Sequence, residues 1–143
     1  MNADERRYKH EQTTREIIGV FFDVYNELGY GFLESVYREA MTIALQYEGL
    51  QVEREFPITV RFRGQVIGNF KADLVVRGSV IVELKAVKSL EPVHEAQILN
   101  YLRASVLEVG LLLNFGPKPQ VRRLVFSNLR KNVRSVPRRD PTG

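Results

Sequence analysis

The chain has 143 residues, 44% hydrophobic and 27% charged, which is the length and composition of one globular domain. It contains no cysteine, which excludes a disulfide scaffold, a thiol nucleophile and a thiolate metal site. No apolar run approaches the roughly 20 residues that span a bilayer, and residues 1–16 lack the apolar core of a secretory signal. We therefore expect a cytoplasmic protein that does not enter a membrane.

Positive charge is concentrated near the C-terminal end. The net charge of the chain is +4, but residues 118–143 carry eight Lys and Arg against one acid, and residues 1–117 carry thirteen basic and sixteen acidic residues. Residues 129–143 are rich in Arg and Pro, so we predict a basic disordered tail there, after a single domain at residues 1–128. Such a tail either binds phosphate groups or only aids solubility, and the sequence leaves both interpretations open.

Two amphipathic helices are predicted first. Apolar residues recur at helical spacing from Thr14 to Leu28, with Thr13 or Thr14 as a candidate N-cap, and the segment GYG then breaks the pattern. A second helical pattern runs to Gly49. Glu34 and Tyr37 share one face of this helix, and a carboxylate near a helix start is favoured by the macrodipole, so capping alone can explain Glu34.

Alternating apolar residues then predict strands. The first alternates through VEREFPITVRF, and two more follow turns at RGQ and RGS, with the sequences VIGNFKADLVV and VIVELKA. These three form an antiparallel meander. A helix from about Val93 to Ser105 is followed by the wholly apolar strand VGLLLNF, the loop FGPKPQ and a last strand, VRRLVFS. The order is ααβββαβ(β), which indicates an α/β fold.

The second and third strands bring two carboxylates together. If residues 77–79 form a three-residue loop, Val76 pairs with Val80 and Asp73 lies opposite Glu83, because paired positions in an antiparallel hairpin have a constant index sum. A two-residue turn would shift the register by one residue and mix polar with apolar side chains on each face. The favoured register aligns one core face, which consists of Ala72, Leu74, Val76, Val80, Val82 and Leu84.

Two opposed carboxylates repel each other, so a positive group is expected beside Asp73 and Glu83. Lys85 leaves the sheet on the same face as Glu83 and is one candidate. The other is a hard divalent cation such as Mg²⁺, which binds carboxylate and carbonyl oxygens, and the Leu84 carbonyl can supply one ligand. The alternative is a surface charge pair between Glu83 and Lys85, because short motifs such as Glu-x-Lys also occur by accident.

The third helix adds an amide and a phenol. Gln97 and Tyr101, spaced i and i+4, share a face with His94 that differs from the apolar face of the helix. In isolation this pattern is typical of an ordinary helix edge with a half-buried tyrosine.

The chain resembles the GxxExxY family, a branch of the PD-(D/E)XK nuclease-like superfamily, from about Thr14 to Asn128. The resemblance rests on motifs in the family's order: Gly31-x-x-Glu34-x-x-Tyr37, Asp73, Glu83-x-Lys85 and Gln97-x-x-x-Tyr101. It implies a restriction-endonuclease-like core of order αβββαβ, a mixed sheet flanked by helices, here with one extra N-terminal helix. Ala72 stands where the superfamily motif has proline, a departure shared by many exonuclease-type members.

The resemblance also implies the roles of individual residues. Asp73 and Glu83 are expected to be metal ligands, Lys85 the catalytic lysine, and Glu34 a further acidic ligand or the residue that orients one. The helix residues Gln97 and Tyr101 are expected to contact substrate. Tyr37 is expected to do the same.

The favoured function is a nuclease that uses Mg²⁺, or alternatively Mn²⁺, to hydrolyse phosphodiester bonds in DNA. A second hypothesis is a catalytically weak or inactive module on the same fold, which binds nucleic acid or has a regulatory role. A third is a structural protein whose charged face is only solvated. The sequence leaves open DNA against RNA, endonuclease against exonuclease, and the oligomeric state, for which a homodimer is one of the options.

Overall fold

Five strands form one mixed sheet with helices on both faces. The structure, a computed structural model, describes residues 10–131. The elements are α1 (Glu11–Leu28), α2 (Glu34–Tyr47), β1 (Val52–Phe62), β2 (Gln65–Val76), β3 (Val80–Lys85), α3 (Pro92–Arg103), β4 (Val109–Phe115), β5 (Pro119–Val125) and a 3₁₀ turn, Asn128–Arg130. The strand order is β1-β2-β3-β4-β5, with β3 and β4 parallel and the other neighbours antiparallel. The predicted α/β class, a mixed sheet flanked by helices with one extra helix, is confirmed.

The sheet separates two apolar cores. Helices α1 and α2 cover one face, with Phe21, Tyr37 and Met41 fully buried there. Helix α3 covers the other face through Ile98 and Leu102. Strand β4 is buried at all of its residues, which explains why its sequence is a nearly continuous apolar run rather than an alternating pattern. Within residues 10–131, none of the helices combines the length and apolar character that crossing a membrane requires.

The predicted register of the β2–β3 hairpin is confirmed. Residues 77–79 form the loop, and the pairing runs from Val76 opposite Val80 to Leu74 opposite Val82. The ladder ends at Leu74 and Val82, one position before Asp73 and Glu83.

One detail of the predicted core face is wrong. Ala72 packs in the core under α3, whereas Leu74 packs in the core under α1 and α2. The alternation of β2 therefore breaks at Asp73. At this level the ladder between β1 and β2 skips Glu55 and Asp73, and Glu55 has a left-handed backbone with φ of 49°. A local irregularity of this kind redirects side chains, which an alternation pattern cannot show.

Several predicted boundaries shift by a few residues. Helix α1 begins at Glu11 rather than Thr14, and its N-cap residue, His10, makes no side-chain capping bond. The Thr14 hydroxyl donates to the Glu11 carbonyl at 2.9 Å, inside the helix, so the predicted threonine cap is wrong. Strand β5 begins at Pro119, so the end of the predicted loop is already strand.

The folded chain extends beyond the predicted domain boundary at residue 128. Lys131 is buried, and its Nζ donates to the carbonyls of Ser105 and Leu107 at 2.7 and 2.8 Å. These bonds tie the end of the 3₁₀ turn to the segment after α3. The remainder of the predicted basic tail, residues 132–143, lies outside the described residues.

The β1–β2 hairpin is longer than the strand beside it. Strand β3 pairs with β2 only along 74–76, whereas β1 and β2 pair with each other from Val52 opposite Val76 to Phe62 opposite Gln65. Residues 57–71 therefore form a two-stranded extension, which we call the hairpin arm.

Candidate active site

Asp73 and Glu83 lie together where β2 and β3 stop pairing. The Asp73 backbone N–H donates to Glu83 Oε1 at 2.9 Å, and the Leu84 backbone N–H donates to Asp73 Oδ2 at 2.8 Å. Each carboxylate thus replaces a backbone acceptor of the ladder and bonds to the opposite strand. Both carboxylates are held at one point of the sheet, as the predicted register requires.

Glu83 is the most perturbed acid of the site. Glu83 is buried, with only 4% of the residue exposed to solvent. Burial raises the pKa of Glu83 to about 8, and the nearby charge of Asp73 adds to the effect. The Asp73 N–H bond and the Lys85 charge act in the opposite direction without cancelling it. Glu83 therefore tends to hold a proton, and a bound cation would replace that proton.

Lys85 and Glu34 approach this pair from different elements. Lys85, half-buried, is the last residue of β3, and Glu34, also half-buried, is the first of α2. Burial raises the pKa of the Glu34 carboxyl, the Lys85 charge opposes this rise, and the Asp73 charge adds to it. Lys85 is thus within electrostatic range of both Glu34 and Glu83. The fold brings together four charged residues that the sequence had placed on three elements.

Arg38 is a member of the site that the sequence patterns do not single out. Its Nε lies 3.2 Å from Asp73 Oδ1, and both side chains are partly buried. A signal was available, because Arg38 follows Glu34 by four residues and so shares its helix face. Arg38 supplies part of the positive charge that two adjacent carboxylates demand.

Helix α3 contributes Gln97 and Tyr101. Gln97 Nε2 donates to the Tyr101 hydroxyl at 3.3 Å. Burial raises the pKa of the Tyr101 phenol, and the charges of Glu83 and Asp73 add to this, so the phenol is within electrostatic range of both carboxylates. His94 on the same face caps the start of its own helix through Nδ1.

Tyr37 does not belong to the exposed part of the site. It has no exposed surface, and its ring stacks on Phe115 with centroids 4.0 Å apart. Its hydroxyl donates to the Gly29 carbonyl at 2.7 Å and accepts from the Phe32 N–H at 3.2 Å. The expectation that Tyr37 binds substrate is therefore wrong. Tyr37 instead holds the turn that places Glu34 at the start of α2.

A buried amide clamp fixes the segment after Lys85. Asn114, which pairs with Lys85 across β3 and β4, has no exposed surface. Its Oδ1 accepts from the Val87 N–H, and its Nδ2 donates to the Val87 carbonyl and to Gln120 Oε1, all at 3.0 Å. Gln120 Oε1 also accepts from the Leu90 N–H at 2.9 Å. The sequence analysis missed this clamp because VGLLLNF has the pattern of a purely apolar strand.

The donor set fits a hard divalent cation with few protein ligands. Among residues 10–131, no three Asp, Glu or His side chains converge into a metal-binding group. The expected role of Glu34, as a further ligand or as the residue that orients one, stays a prediction. Asp73 and Glu83 are the candidate side-chain ligands, and the Leu84 carbonyl is a candidate backbone ligand. Mg²⁺ commonly binds through one or two carboxylates and keeps several waters.

Comparison with known proteins gives two matches. Residues 11–124 match the family model described as the PD-(D/E)XK nuclease superfamily. A solved structure titled "Crystal structure of SSO0001" is similar, with 16% sequence identity, a TM-score of 0.48, and coverage of 85% of this chain and 62% of that chain. This chain thus spans less than two thirds of that protein. None of the curated proteins compared matches the chain.

Proposed function

The chain belongs to the PD-(D/E)XK nuclease superfamily, and on that premise we propose that it is a nuclease that hydrolyses phosphodiester bonds in DNA with Mg²⁺, or alternatively Mn²⁺. The observation that carries the proposal is the Asp73–Glu83 pair, in which each carboxylate bonds to the opposite strand and Lys85 lies within electrostatic range. Because the two carboxylates are buried and repel each other, a cation bound between them would be stabilising.

Asp73, Glu83 and the Leu84 carbonyl would hold the ion, which supplies a polarised phosphate and a water of lowered pKa. Lys85 donates a hydrogen bond to the attacking water or to a phosphate oxygen. As an ammonium it has donors and no acceptor, so it stabilises charge rather than removing the proton. Glu34 attracts Lys85 and orients its ammonium toward Glu83.

Gln97 and Tyr101 are the substrate-binding residues of this proposal. The Gln97 amide donates a hydrogen bond to the Tyr101 hydroxyl, and Tyr101 is within electrostatic range of the carboxylates. Both groups can donate to a phosphate oxygen or bind a flanking base. The partner is nucleic acid, and both a homodimer and a cytoplasmic location stay predictions.

We also infer membership of the GxxExxY branch. Each motif residue has a separate contact or conformation that supports this. Gly31 has φ of 114°, a conformation that favours glycine. Glu34 interacts with Lys85, and Tyr37 bonds to the turn between α1 and α2. The motif thus builds one side of the site from its first helix turn.

The test is incubation of single- and double-stranded DNA and RNA with Mg²⁺, with Mn²⁺ and with chelator. We expect cleavage of DNA with either metal and none in chelator. Lys85→Ala should lower the rate about 100-fold or more while the protein stays folded, as losses of one electrostatic donor do elsewhere. Lys88→Ala, at an exposed lysine three residues later, is the matched control and should cleave normally. A fully active Lys85→Ala variant, or cleavage in chelator, would end this mechanism.

One observation favours the second hypothesis, a module that binds nucleic acid without turnover. Asp73 Oδ1 is already engaged by Arg38, and no third carboxylate joins the pair within the described residues. Such a protein would bind nucleic acid in the assay above and cleave none of the four substrates with either metal.

A further inference from the structure

The hairpin arm combines positive charge with exposed apolar surface. Residues 57–71 contain three basic residues and no acid, although residues 1–117 as a whole carry more acidic than basic residues. The basic residues are Arg61, Arg63 and Lys71, and the exposed large hydrophobic residues are Phe62, Val66, Ile67 and Phe70. The arm therefore differs from the rest of residues 1–117, which is acidic. Its positive charge can attract phosphate groups, and its exposed apolar side chains can contact bases.

The arm extends from the sheet and is anchored only at its base. Ile58 is buried in the core under α3, and Val60 packs against the same core. Past a register shift between Val60 and Arg61, both strands are exposed up to the turn. A two-stranded hairpin is only marginally stable by itself in water. Binding to a partner would stabilise the exposed part of the arm.

Phe70 connects the arm to the candidate active site. Phe70 is 48% exposed. Its ring centroid lies 6.0 Å from the ring centroid of Tyr101, at an interplanar angle of 37°. Tyr101 is in turn within electrostatic range of Glu83. Along β2, Phe70 precedes Asp73 by three residues, which is about 10 Å in a strand. A base stacked on Phe70 would thus belong to a nucleotide close to a phosphate bound at the carboxylate pair.

Gly68 shapes the position of this ring. A Cβ atom added at Gly68 would lie 2.7 Å from Phe70 Cε2, closer than real Cβ contacts allow. The ring therefore lies across the glycine backbone. Phe70 is held against Gly68 and close to Tyr101 while half of its surface remains open to solvent.

We propose that the hairpin arm binds a single-stranded segment of nucleic acid, and that Phe70 stacks on the base next to the phosphate at the Asp73–Glu83 site. The position of that phosphate rests on the proposed nuclease function, whereas binding by the arm does not require turnover. Cationic groups along a backbone path with aromatic rings for the bases are the usual means of binding single strands. In a duplex the bases already stack on each other, so an unpaired base is the favoured partner of Phe70.

Tryptophan fluorescence tests the stacking directly. The chain has no tryptophan, so Phe70→Trp introduces a single reporter. In chelator, where the proposed enzyme cannot cleave, oligo-dT and oligo-rU should quench this emission. Tyr47→Trp, at a residue 87% exposed at the far end of α2, is the control and should show no quenching. Equal responses of the two variants would overturn the stacking role.

Affinity tests the same residue without a reporter. Phe70→Leu keeps an apolar side chain but removes the flat ring, and we expect affinity for oligo-dT in chelator to fall about 5- to 100-fold. Fluorescence anisotropy measures it, with Tyr47→Leu as a matched variant of unchanged affinity. Gly68→Ala should cause a smaller loss by displacing the ring. Circular dichroism checks that each variant is folded, and wild-type affinity in folded Phe70→Leu would overturn the proposal.

Charge is tested separately. Arg61→Ser and Arg63→Ser should each weaken binding and flatten its dependence on salt by about one phosphate contact, whereas Arg15→Ser, at an exposed arginine of α1, should not. Duplex DNA bound as tightly as oligo-dT would contradict a single-stranded partner.

The outcomes also separate this proposal from the nuclease function and from self-association. Binding that depends on Phe70, without cleavage in Mg²⁺, would keep the arm and reject the nuclease. Cleavage in Mg²⁺ with unchanged affinity in Phe70→Leu would keep the nuclease and reject the arm.

A second copy of the chain is the other partner that the arm could bind. If Phe70→Trp emission changes with protein concentration alone, and sedimentation shows a dimer that Phe62→Ser with Phe70→Ser dissociates, the arm is a dimer interface instead.

Discussion

Asp73 is bonded to two other elements before any cation is considered. It accepts from the Leu84 N–H on β3 and pairs with Arg38 on α2. Repulsion from Glu83, taken alone, predicts that removal of Asp73 stabilises the metal-free protein. The structure opposes that expectation, because truncation to alanine would also leave a buried N–H without its acceptor.

Asp73→Asn separates these effects, since it removes the charge and retains an oxygen acceptor. We expect millimolar Mg²⁺ to raise the melting temperature of the wild-type protein, because a ligand that binds only the folded state stabilises it. The Asp73→Asn variant should show little of this rise. Asp23→Asn, at an exposed carboxylate of α1, should respond as the wild type does. Equal shifts in all three proteins would remove Asp73 from the ligand set.

Glu83 gives the metal-free protein a defined dependence on pH. Its pKa is about 8 in the folded protein against an ordinary value of 4.5, so the folded state binds the proton more tightly than the unfolded state. Stability is therefore greatest below about pH 4.5 as far as this group is concerned, and falls as pH rises toward about 8. In chelator, the melting temperature of the wild type should fall over this range relative to that of Glu83→Gln. Parallel profiles of the two proteins would contradict the assigned burial effect.

At the scale of elements, the turn between α1 and α2 decides where Glu34 lies. Tyr37 bonds to both sides of this turn, at Gly29 and Phe32, and its ring packs on Phe115 of β4. One side chain thus connects the turn, α2 and the central sheet. The start of α2 is positioned by this contact, because Leu33 at its N-cap makes no side-chain capping bond.

Tyr37→Phe removes only the hydroxyl and leaves the stacked ring. Two backbone groups of the turn lose their partner, so we expect the free energy of unfolding to fall by about 1–3 kcal/mol, measured by urea denaturation. Tyr30→Phe, at an exposed tyrosine of the same turn, should change it by less than about 0.5 kcal/mol. If the two variants are equally stable, the hydroxyl bonds do not hold the turn.

At the scale of the whole molecule, positive charge is concentrated in the hairpin arm and in residues 118–143, whereas residues 1–56 and 72–117 carry more acidic than basic residues. The hairpin arm lies beside the candidate site, and the C-terminal residues 132–143 carry three Arg and one Asp. Lys131 belongs to the folded body rather than to this end, because its Nζ is bonded to two carbonyls.

Truncation after Lys131 tests the contribution of the C-terminal residues to binding. We expect unchanged stability, weaker binding of oligo-dT at low salt, and a log–log salt slope shallower by up to about 2, because up to three phosphate contacts are lost. Truncation after Asn128 should also destabilise the fold, since it removes the Lys131 bonds. Unchanged binding by the first truncation would leave residues 132–143 a role in solubility only.

The sequence by itself determined the order of the elements, the three-residue loop and the meeting of Asp73 with Glu83. These features depend on local patterns: the period of apolar residues, the chemistry of turns and the fixed register of a short hairpin. The family motifs added the roles that are expected of the α3 residues Gln97 and Tyr101.

Only the tertiary structure decided which other side chains meet at this point. The Arg38–Asp73 pair joins residues 35 positions apart, and the Phe70–Tyr101 contact joins a strand to a helix beyond the next strand. Burial removes Tyr37 from the exposed site, and Asn114, in a strand whose pattern is that of a core, makes hydrogen bonds that this pattern does not indicate. Such contacts depend on how helices pack on two faces of a twisted sheet with a local break at Glu55. That geometry is set by the summed packing of distant residues, which no local pattern contains.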